Sequence, residues 1–113
     1  MKIWINGSFI DEKEAKVGVF DAGFQHGVGL FETMIAKNER VFQAEAHMNR
    51  LKESAADLRL TEKLHVEPLI EALHLTLKEN AQSDARMRLT ITGGDLNMLQ
   101  RTGEQGNADP TIV

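Results

Sequence analysis

Arg50 is a cation whose placement in the sequence could serve anion binding. It stands one position before Leu51, a member of an apolar helical stripe, so on a helix it lies beside that stripe at roughly 100°. A guanidinium at the edge of a core presents a planar fork of donors that suits phosphate or carboxylate. The alternative is an exposed arginine paired with Glu53 or Ser54, and the spacing alone favours this alternative.

Residues 30 to 37, LFETMIAK, alternate as a strand whose two faces differ. One face carries Phe31, Thr33 and Ile35 and could line an apolar pocket with a single hydroxyl. Glu32 lies on the opposite face between apolar neighbours, and it needs a partner if that face packs inward. The strand taken by itself favours a simpler interpretation, in which one face packs on the helices and the other on a partner surface.

The segment before this strand, residues 23 to 29, contains three glycines in seven positions. It has no lysine after its glycines and leads into a strand. It therefore matches neither a P-loop nor a dinucleotide-binding turn, which both bind phosphate at a helix N-terminus. We expect a loop in which glycine permits positive φ or close backbone approach. Asp21 and His26 could meet there, but proximity in a loop is weak evidence for a catalytic dyad.

Composition excludes several kinds of chemistry. The chain has no cysteine, so it has no disulfide, thiolate metal site or cysteine nucleophile. Its four histidines lack the spacing of metal ligands on one helical face, and we predict no metal site. A net charge of −4 argues against a nucleic-acid partner. The N-terminal MKIWINGSFI runs into the charged DEKE, too early for a signal or membrane segment, so we expect a cytoplasmic protein.

The strands predicted around these residues form hairpins. Residues 2 to 6 alternate, and Asn6-Gly7 is a two-residue turn signal before a short second run at 8 to 10. A polar turn at 38 to 40 returns the chain from the strand of Glu32 into Val41-Phe42, which predicts a second hairpin. A late strand is expected at 86 to 92, where RMRLTIT alternates.

Two helices follow from a change of period. His47, Leu51, Ser54 or Ala55, and Leu58 recur at helical spacing, which predicts a helix from about 44 to 59. A stronger stripe runs from Val66 to Leu77, with Pro68 in the first turn and Asn80 at the end. Strands, two helices and a strand predict an α+β, two-layer domain with a mainly antiparallel sheet packed against two helices.

Two motifs in this order resemble the N-terminal domain of class IV aminotransferases, the fold-type IV pyridoxal-phosphate enzymes. The first is DAGFQHGVGLFET at 21 to 33, and the second is HMNRLKESAADL at 47 to 58. The family includes branched-chain and D-amino-acid aminotransferases and aminodeoxychorismate lyase. The resemblance covers nearly the whole chain, because the opening hairpin and the late strand also fall where the family has them.

The resemblance implies roles for individual residues. Arg50 matches the arginine that binds the phosphate of pyridoxal 5′-phosphate. Phe31, Thr33 and Ile35 match the positions that face the substrate, and His26 matches a tyrosine that approaches the substrate, often from the neighbouring subunit of a homodimer. The substrate would be an amino acid or another small amino-bearing molecule.

The sequence departs from the family pattern at four places. Val28 replaces the usual aspartate between two glycines, and His26 replaces tyrosine. Ile35 stands where several aminotransferases have a basic residue, and residues 92 to 94 read Thr-Gly-Gly instead of Thr-Arg-Gly. The last two changes each remove a candidate for binding a substrate carboxylate.

The family takes its Schiff-base lysine from a C-terminal domain, so we assign no catalytic residue here. We expect residues 1–94 to form the small N-terminal domain and residues 95–113 to be a linker that ends at the start of the next strand. The parent protein is predicted to be an aminotransferase, with this chain inactive alone. Aminodeoxychorismate lyase activity, or a non-catalytic binding or dimerisation module, is the alternative.

Overall fold

Six strands and three helices occur in the described residues, 1–97 and 109–113, of this computed structural model. In chain order they are β1 (Lys2–Ile5), β2 (Ser8–Asp11), α1 (Ala22–His26), β3 (Gly29–Lys37), β4 (Arg40–Val41), α2 (Ala44–Asp57), α3 (Val66–Glu79), β5 (Ala85–Thr92) and β6 (Thr111–Ile112). β1 pairs with β2, and the other strands form an antiparallel sheet in the order β4-β3-β5-β6. The predicted α+β class is confirmed.

Both predicted hairpins are present, and both turns use left-handed backbone. Asn6 and Gly7 have φ of 48° and 93°, and Asn38 and Glu39 have φ of 51° and 65°. Positive φ at both central residues matches the twist of the flanking strands. Glu39 is the unusual member, since glutamate disfavours this conformation, and its N–H donates to the carbonyl of Ser83 at 2.9 Å.

The core lies between the inner face of the larger sheet and the helices α2 and α3. Its largest fully buried side chains come from β3, α2 and β5: Met34, Met48, Leu51 and Ile91. The predicted stripe of α2 was wrong at one end. Leu58 is 61% exposed because α2 ends at Asp57, and Met48, which the stripe omitted, is fully buried.

The loop expected at 23 to 29 is instead partly helical. The side chain of Asp21 caps α1 by accepting from the N–H of Gly23 at 2.8 Å. Gly27 ends the helix in the left-handed conformation, with φ of 66°. Both are standard helix signals, an aspartate before the first turn and a glycine after the last. At five residues this helix is too short for an apolar stripe to reveal it.

The strand expected near the end of the chain is confirmed by β6, which pairs with β5 at Ile91–Ile112 and Thr92–Thr111. Asn6 joins β6 to the first hairpin, since its side-chain oxygen accepts from the N–H of Ile112 at 2.7 Å. Part of the predicted linker, residues 98 to 108, lies outside the described residues. The boundary at residue 94 stays a prediction.

Candidate functional site

Glu32 lies on the inner face of β3 and contacts two side chains of α2. Arg50 donates from Nε to Oε1 and from Nη2 to Oε2, each at 2.6 Å. Nδ1 of His47 lies 2.8 Å from Oε2. Only 9% of the Glu32 side chain is exposed, so these contacts compensate its burial. Arg50 thus takes its partner from the sheet and not from Glu53 or Ser54. We call Glu32, His47 and Arg50 the Glu32 cluster.

The hydrogen bonds determine the tautomer of His47. An ionised carboxylate can only accept, so the proton shared with Glu32 is carried by Nδ1. A protonated Nδ1 cannot also accept from Nη2 of Arg50, which lies 3.4 Å away, so that approach is not a hydrogen bond. In the neutral ring Nε2 is therefore the acceptor, and the ring orientation is determined by Glu32.

The Glu32 cluster is electrostatically coupled. The hydrogen bonds from Arg50 lower the pKa of Glu32 below its ordinary value despite the opposing effect of burial, and the hydrogen bond from His47 acts in the same direction as Arg50. Glu32 in turn raises the pKa of Arg50. At neutral pH the pair is therefore a carboxylate and a guanidinium joined in a fork-to-fork geometry.

A cleft of about 440 Å³ opens beside the cluster, between β3 and α2. β4 pairs with β3 only at Ala36 and Lys37, which leaves the earlier part of that strand edge uncovered by β4. The hydroxyl-bearing residues Thr33 and Ser54 line the cleft together with Arg50, whose side chain is 66% exposed. Nη1 of Arg50 has no hydrogen-bond partner within residues 1–97 and 109–113.

The alternation predicted for β3 is confirmed. Phe31 and Ile35 are 56% and 65% exposed on the outer face, whereas Met34 and Ala36 are buried on the inner face. Arg88 of β5 covers Phe31 with its guanidinium carbon 3.8 Å from the ring centroid, a cation–π contact. The outer face therefore combines an exposed apolar surface with a cation.

The candidate residues from the sequence fall in different places. Phe31, Thr33 and Arg50 line one cleft. Ile35 lines a second cleft together with Arg86 and with Thr33, which borders both clefts. His26 is exposed at the last position of α1 and is not among the residues that line either cleft. Within this chain, Phe31, Thr33 and Arg50 come together, Ile35 is connected to them through Thr33, and His26 stands apart.

Asp21 has a structural role that the sequence did not reveal. Its carboxylate is 3% exposed. Besides capping α1, it accepts from the hydroxyls of Thr92 at 2.9 Å and Thr111 at 2.7 Å. It thereby joins the segment containing His26 to the ends of β5 and β6. The possible dyad of Asp21 and His26 is not formed, because both oxygens of Asp21 face these other donors.

The glycines of this region allow close packing. A Cβ on Gly23 would lie 2.5 Å from the Thr92 methyl, and a Cβ on Gly29 would lie 2.9 Å from the carbonyl oxygen of Ile91. Such distances are too short for any other residue. The glycines thus bring α1 and the start of β3 against the end of β5.

His47 and Arg88 are the site residues that sequence reasoning missed as polar contacts. His47 was assigned to an apolar stripe, although its spacing of three from Arg50 puts both on one side of a helix. An inward-facing Glu32 on a neighbouring strand was the signal that could have paired all three. For Arg88 no local signal existed, because its contact with Phe31 depends on the register of β3 and β5.

The described part of the chain contains neither a metal-binding cluster nor a membrane-spanning helix. No group of three or more His, Asp or Glu side chains there is arranged to bind a metal ion. Among the helices that the structure describes, none combines the length and the apolar character required for a membrane span.

The chain is similar to known proteins. The family model described as "Amino-transferase class IV" matches residues 29–113, so the chain belongs to the class IV aminotransferase family. A Methanocaldococcus jannaschii protein, provisionally named a branched-chain-amino-acid aminotransferase, is 44% identical over 94 residues, which cover 83% of this chain and 33% of that protein. The aminodeoxychorismate lyase of Bacillus subtilis is 35% identical over 98% of this chain and 38% of its own length.

The fold is also similar to that of a solved structure. The branched-chain aminotransferase of Thermoproteus uzoniensis, solved with norvaline, superimposes with a TM-score of 0.83 at 28% identity, over 99% of this chain and 38% of that one. The chain therefore spans about a third of the length of the relatives it matches.

Proposed function

We propose that this chain is the N-terminal part of a pyridoxal-phosphate-dependent aminotransferase, which transfers an amino group between an amino acid and a 2-oxo acid. The observation that carries the proposal is the exposed guanidinium of Arg50 at the edge of the cleft beside β3. Family membership supports the cofactor. Since the Schiff-base lysine is expected in a further domain, we expect no transamination by these 113 residues alone.

The residues at the cleft fit a phosphate group. Arg50 has donors that Glu32 does not use, and Ser54, whose side chain carries a hydroxyl, lines the same cleft. A guanidinium and hydroxyls are the usual side-chain partners of phosphate oxygens. When bound, pyridoxal phosphate supplies the electron sink for chemistry at the amino-bearing carbon. The contribution of this domain is to bind the phosphate and to shape one wall of the substrate pocket.

We assign the substrate side to the outer face of β3. Phe31 and Thr33 would contact the substrate within one subunit, next to Arg88, whose charge suits a carboxylate. Ile35 lies in a second cleft that Thr33 joins to the first, so its proposed contact requires a substrate that reaches past Thr33. His26 lines neither cleft, so its proposed contact requires a second subunit.

A homodimer is the proposed assembly. Phe20, just before α1, and Phe24, within α1, are 55% and 73% exposed. Exposed apolar side chains of this size are typical of interaction surfaces. A dimer would also bring a His26 to the neighbouring site, as the resemblance implies. We further propose that the protein acts in the cytoplasm.

Arg50→Lys tests the phosphate role, because lysine retains the charge but lacks the planar fork. In the full-length protein we expect weaker binding of pyridoxal phosphate, measured by titration at equilibrium. Arg59→Lys is the matched control, since Arg59 is exposed just beyond α2 and should leave the affinity unchanged. Equal affinities for Arg50→Lys and wild type would reject the phosphate role.

Aminodeoxychorismate lyase is the second candidate function, favoured by the 35% identity with the Bacillus subtilis enzyme over 98% of this chain. The loss of basic residues at Ile35 and Gly93 is consistent with either substrate class. Assaying the full-length protein with branched-chain amino acids, D-alanine and aminodeoxychorismate distinguishes these activities. If the protein is a non-catalytic module, which is the remaining alternative, none of these compounds is turned over.

A further inference from the structure

The carboxylate of Glu32 stands where simple electrostatics disfavours it. An anion that binds Arg50 would approach a guanidinium already contacted by a negative charge at 2.6 Å through two nitrogens. Coulomb repulsion between two anions near one cation weakens binding of the second. A carboxylate in this place therefore needs a compensating benefit if Arg50 binds phosphate.

The geometry supplies that benefit. Arginine has long flexible torsions, and fixing such a side chain on binding costs affinity. Glu32 uses the Nε edge and Nη2, which orients the plane of the guanidinium before any ligand arrives. Nη1 is left without a partner within the described residues, in a side chain that is 66% exposed beside the cleft.

Glu32 is itself fixed from a second direction. Its Oε2 accepts from both His47 and Arg50, and its side chain is 9% exposed on the inner face of β3. A strand residue with a buried carboxylate that two side chains contact has little freedom to rotate. The fixed carboxylate of Glu32 thus also fixes the orientation of Arg50, which is otherwise an exposed residue on a helix surface.

We propose that Glu32 is a positioning residue that strengthens phosphate binding at Arg50 by orienting its guanidinium, in spite of the repulsion that its own charge exerts. This inference rests on the proposed function, because it presupposes that Arg50 binds the cofactor phosphate. Charge alone predicts that removing the negative charge of Glu32 strengthens the binding of an anion. The positioning role predicts the opposite, namely that this removal weakens the binding.

The test measures dissociation constants of pyridoxamine 5′-phosphate and pyridoxamine with the full-length protein. Neither probe has the aldehyde that links to a lysine, and their difference isolates the phosphate. We expect Glu32→Gln to weaken the binding of pyridoxamine 5′-phosphate by about three- to tenfold, the loss typical of one immobilised side chain. The affinity for pyridoxamine should stay unchanged. Glu53→Gln is the charge control, three positions from Arg50 on the exposed side of α2. It should bind the phosphorylated probe as well as wild type or slightly better.

Glu32→Asp provides a second variant that retains the charge and shortens the reach. The positioning role predicts that this variant also binds pyridoxamine 5′-phosphate more weakly than wild type. A pure charge effect predicts no change in that affinity. If Glu32→Gln does not fold, as judged by its circular dichroism, Glu32→Asp decides the question.

The outcomes separate the inference from the function on which it rests. Weakening by Arg50→Lys together with unchanged or tighter binding in both Glu32 variants overturns the positioning role and leaves the phosphate role standing. No effect of Arg50→Lys overturns both. Equal weakening of pyridoxamine and its phosphate also overturns the inference, since it indicates general loss of structure.

Discussion

Asp21 and Thr111, ninety positions apart in the chain, are joined by a hydrogen bond of 2.7 Å between a buried carboxylate and a hydroxyl. Asp21 also accepts from Thr92 and from the N–H of Gly23, so one carboxylate fastens α1, β5 and β6 together. The segment that contains His26 is thereby attached to the sheet that contains Phe31. Its position depends on a polar contact and not on apolar packing alone.

Asp21→Ala should therefore destabilise the domain by about 3 kcal/mol, since it leaves three partly buried donors without this acceptor. Asp21→Asn retains one acceptor oxygen and should cost about half as much. Urea unfolding measures both. Asp57→Ala, at the exposed C-terminal end of α2, is the control and should be neutral or slightly stabilising because it removes a negative charge from that end. Equal stabilities of Asp21→Ala and wild type would contradict the role.

Gly23→Ala tests the close contact between α1 and β5. The new methyl would lie 2.5 Å from the Thr92 methyl, and we expect a loss of about 1–3 kcal/mol in the free energy of unfolding. Thr92→Ser removes that methyl while retaining the hydroxyl that donates to Asp21, so the double variant should recover much of the loss. A double variant no more stable than Gly23→Ala would show that another contact is responsible.

Gly18→Ala is the matched control for this series. A Cβ at Gly18 meets nothing within 4 Å, and its φ is not in the left-handed region. Such a substitution reduces the freedom of the unfolded chain, so a gain of up to about 1 kcal/mol is expected.

The sequence predicted most of the fold because the two periods of strand and helix are local properties. The strand of Glu32 and the helix of Arg50 were both identified. Pairing those two residues was not possible, because their contact depends on how α2 lies across the sheet. The hydrogen bonds of Asp21 could not be predicted either, since two of its partners are the distant residues Thr92 and Thr111. Local patterns predict elements, whereas buried polar contacts between elements require tertiary structure.

The Glu32 cluster predicts an acid-dependent stability. The pKa of Glu32 is lower in the folded state than its ordinary value of 4.5. Its ionic contacts thus stabilise the fold fully above that value, and this contribution is lost as the pH falls from about 4.5 through the folded pKa. Urea unfolding between pH 7 and pH 3 should give a difference between wild type and Glu32→Gln that shrinks with acidification. A difference that stays constant over this range would contradict the ionic role.

Phe31 and Arg88 test the division of the site into a phosphate side and a substrate side. Phe31→Ala removes an exposed ring from the outer face of β3, opposite in direction to the inward Glu32. In the full-length protein kcat/KM for the amino donor should fall by about tenfold or more, because apolar contact of this size is worth at least 1.4 kcal/mol. Phe31 also lines the cleft beside Arg50, but its ring has no donor for phosphate, so the affinity for pyridoxamine 5′-phosphate should change much less. Arg88→Gln removes the cation over the ring. It should also lower kcat/KM for the amino donor without changing the affinity for pyridoxamine 5′-phosphate. Cofactor binding weakened as much as kcat/KM in either variant would mean that the outer face and the Glu32 cluster form a single site.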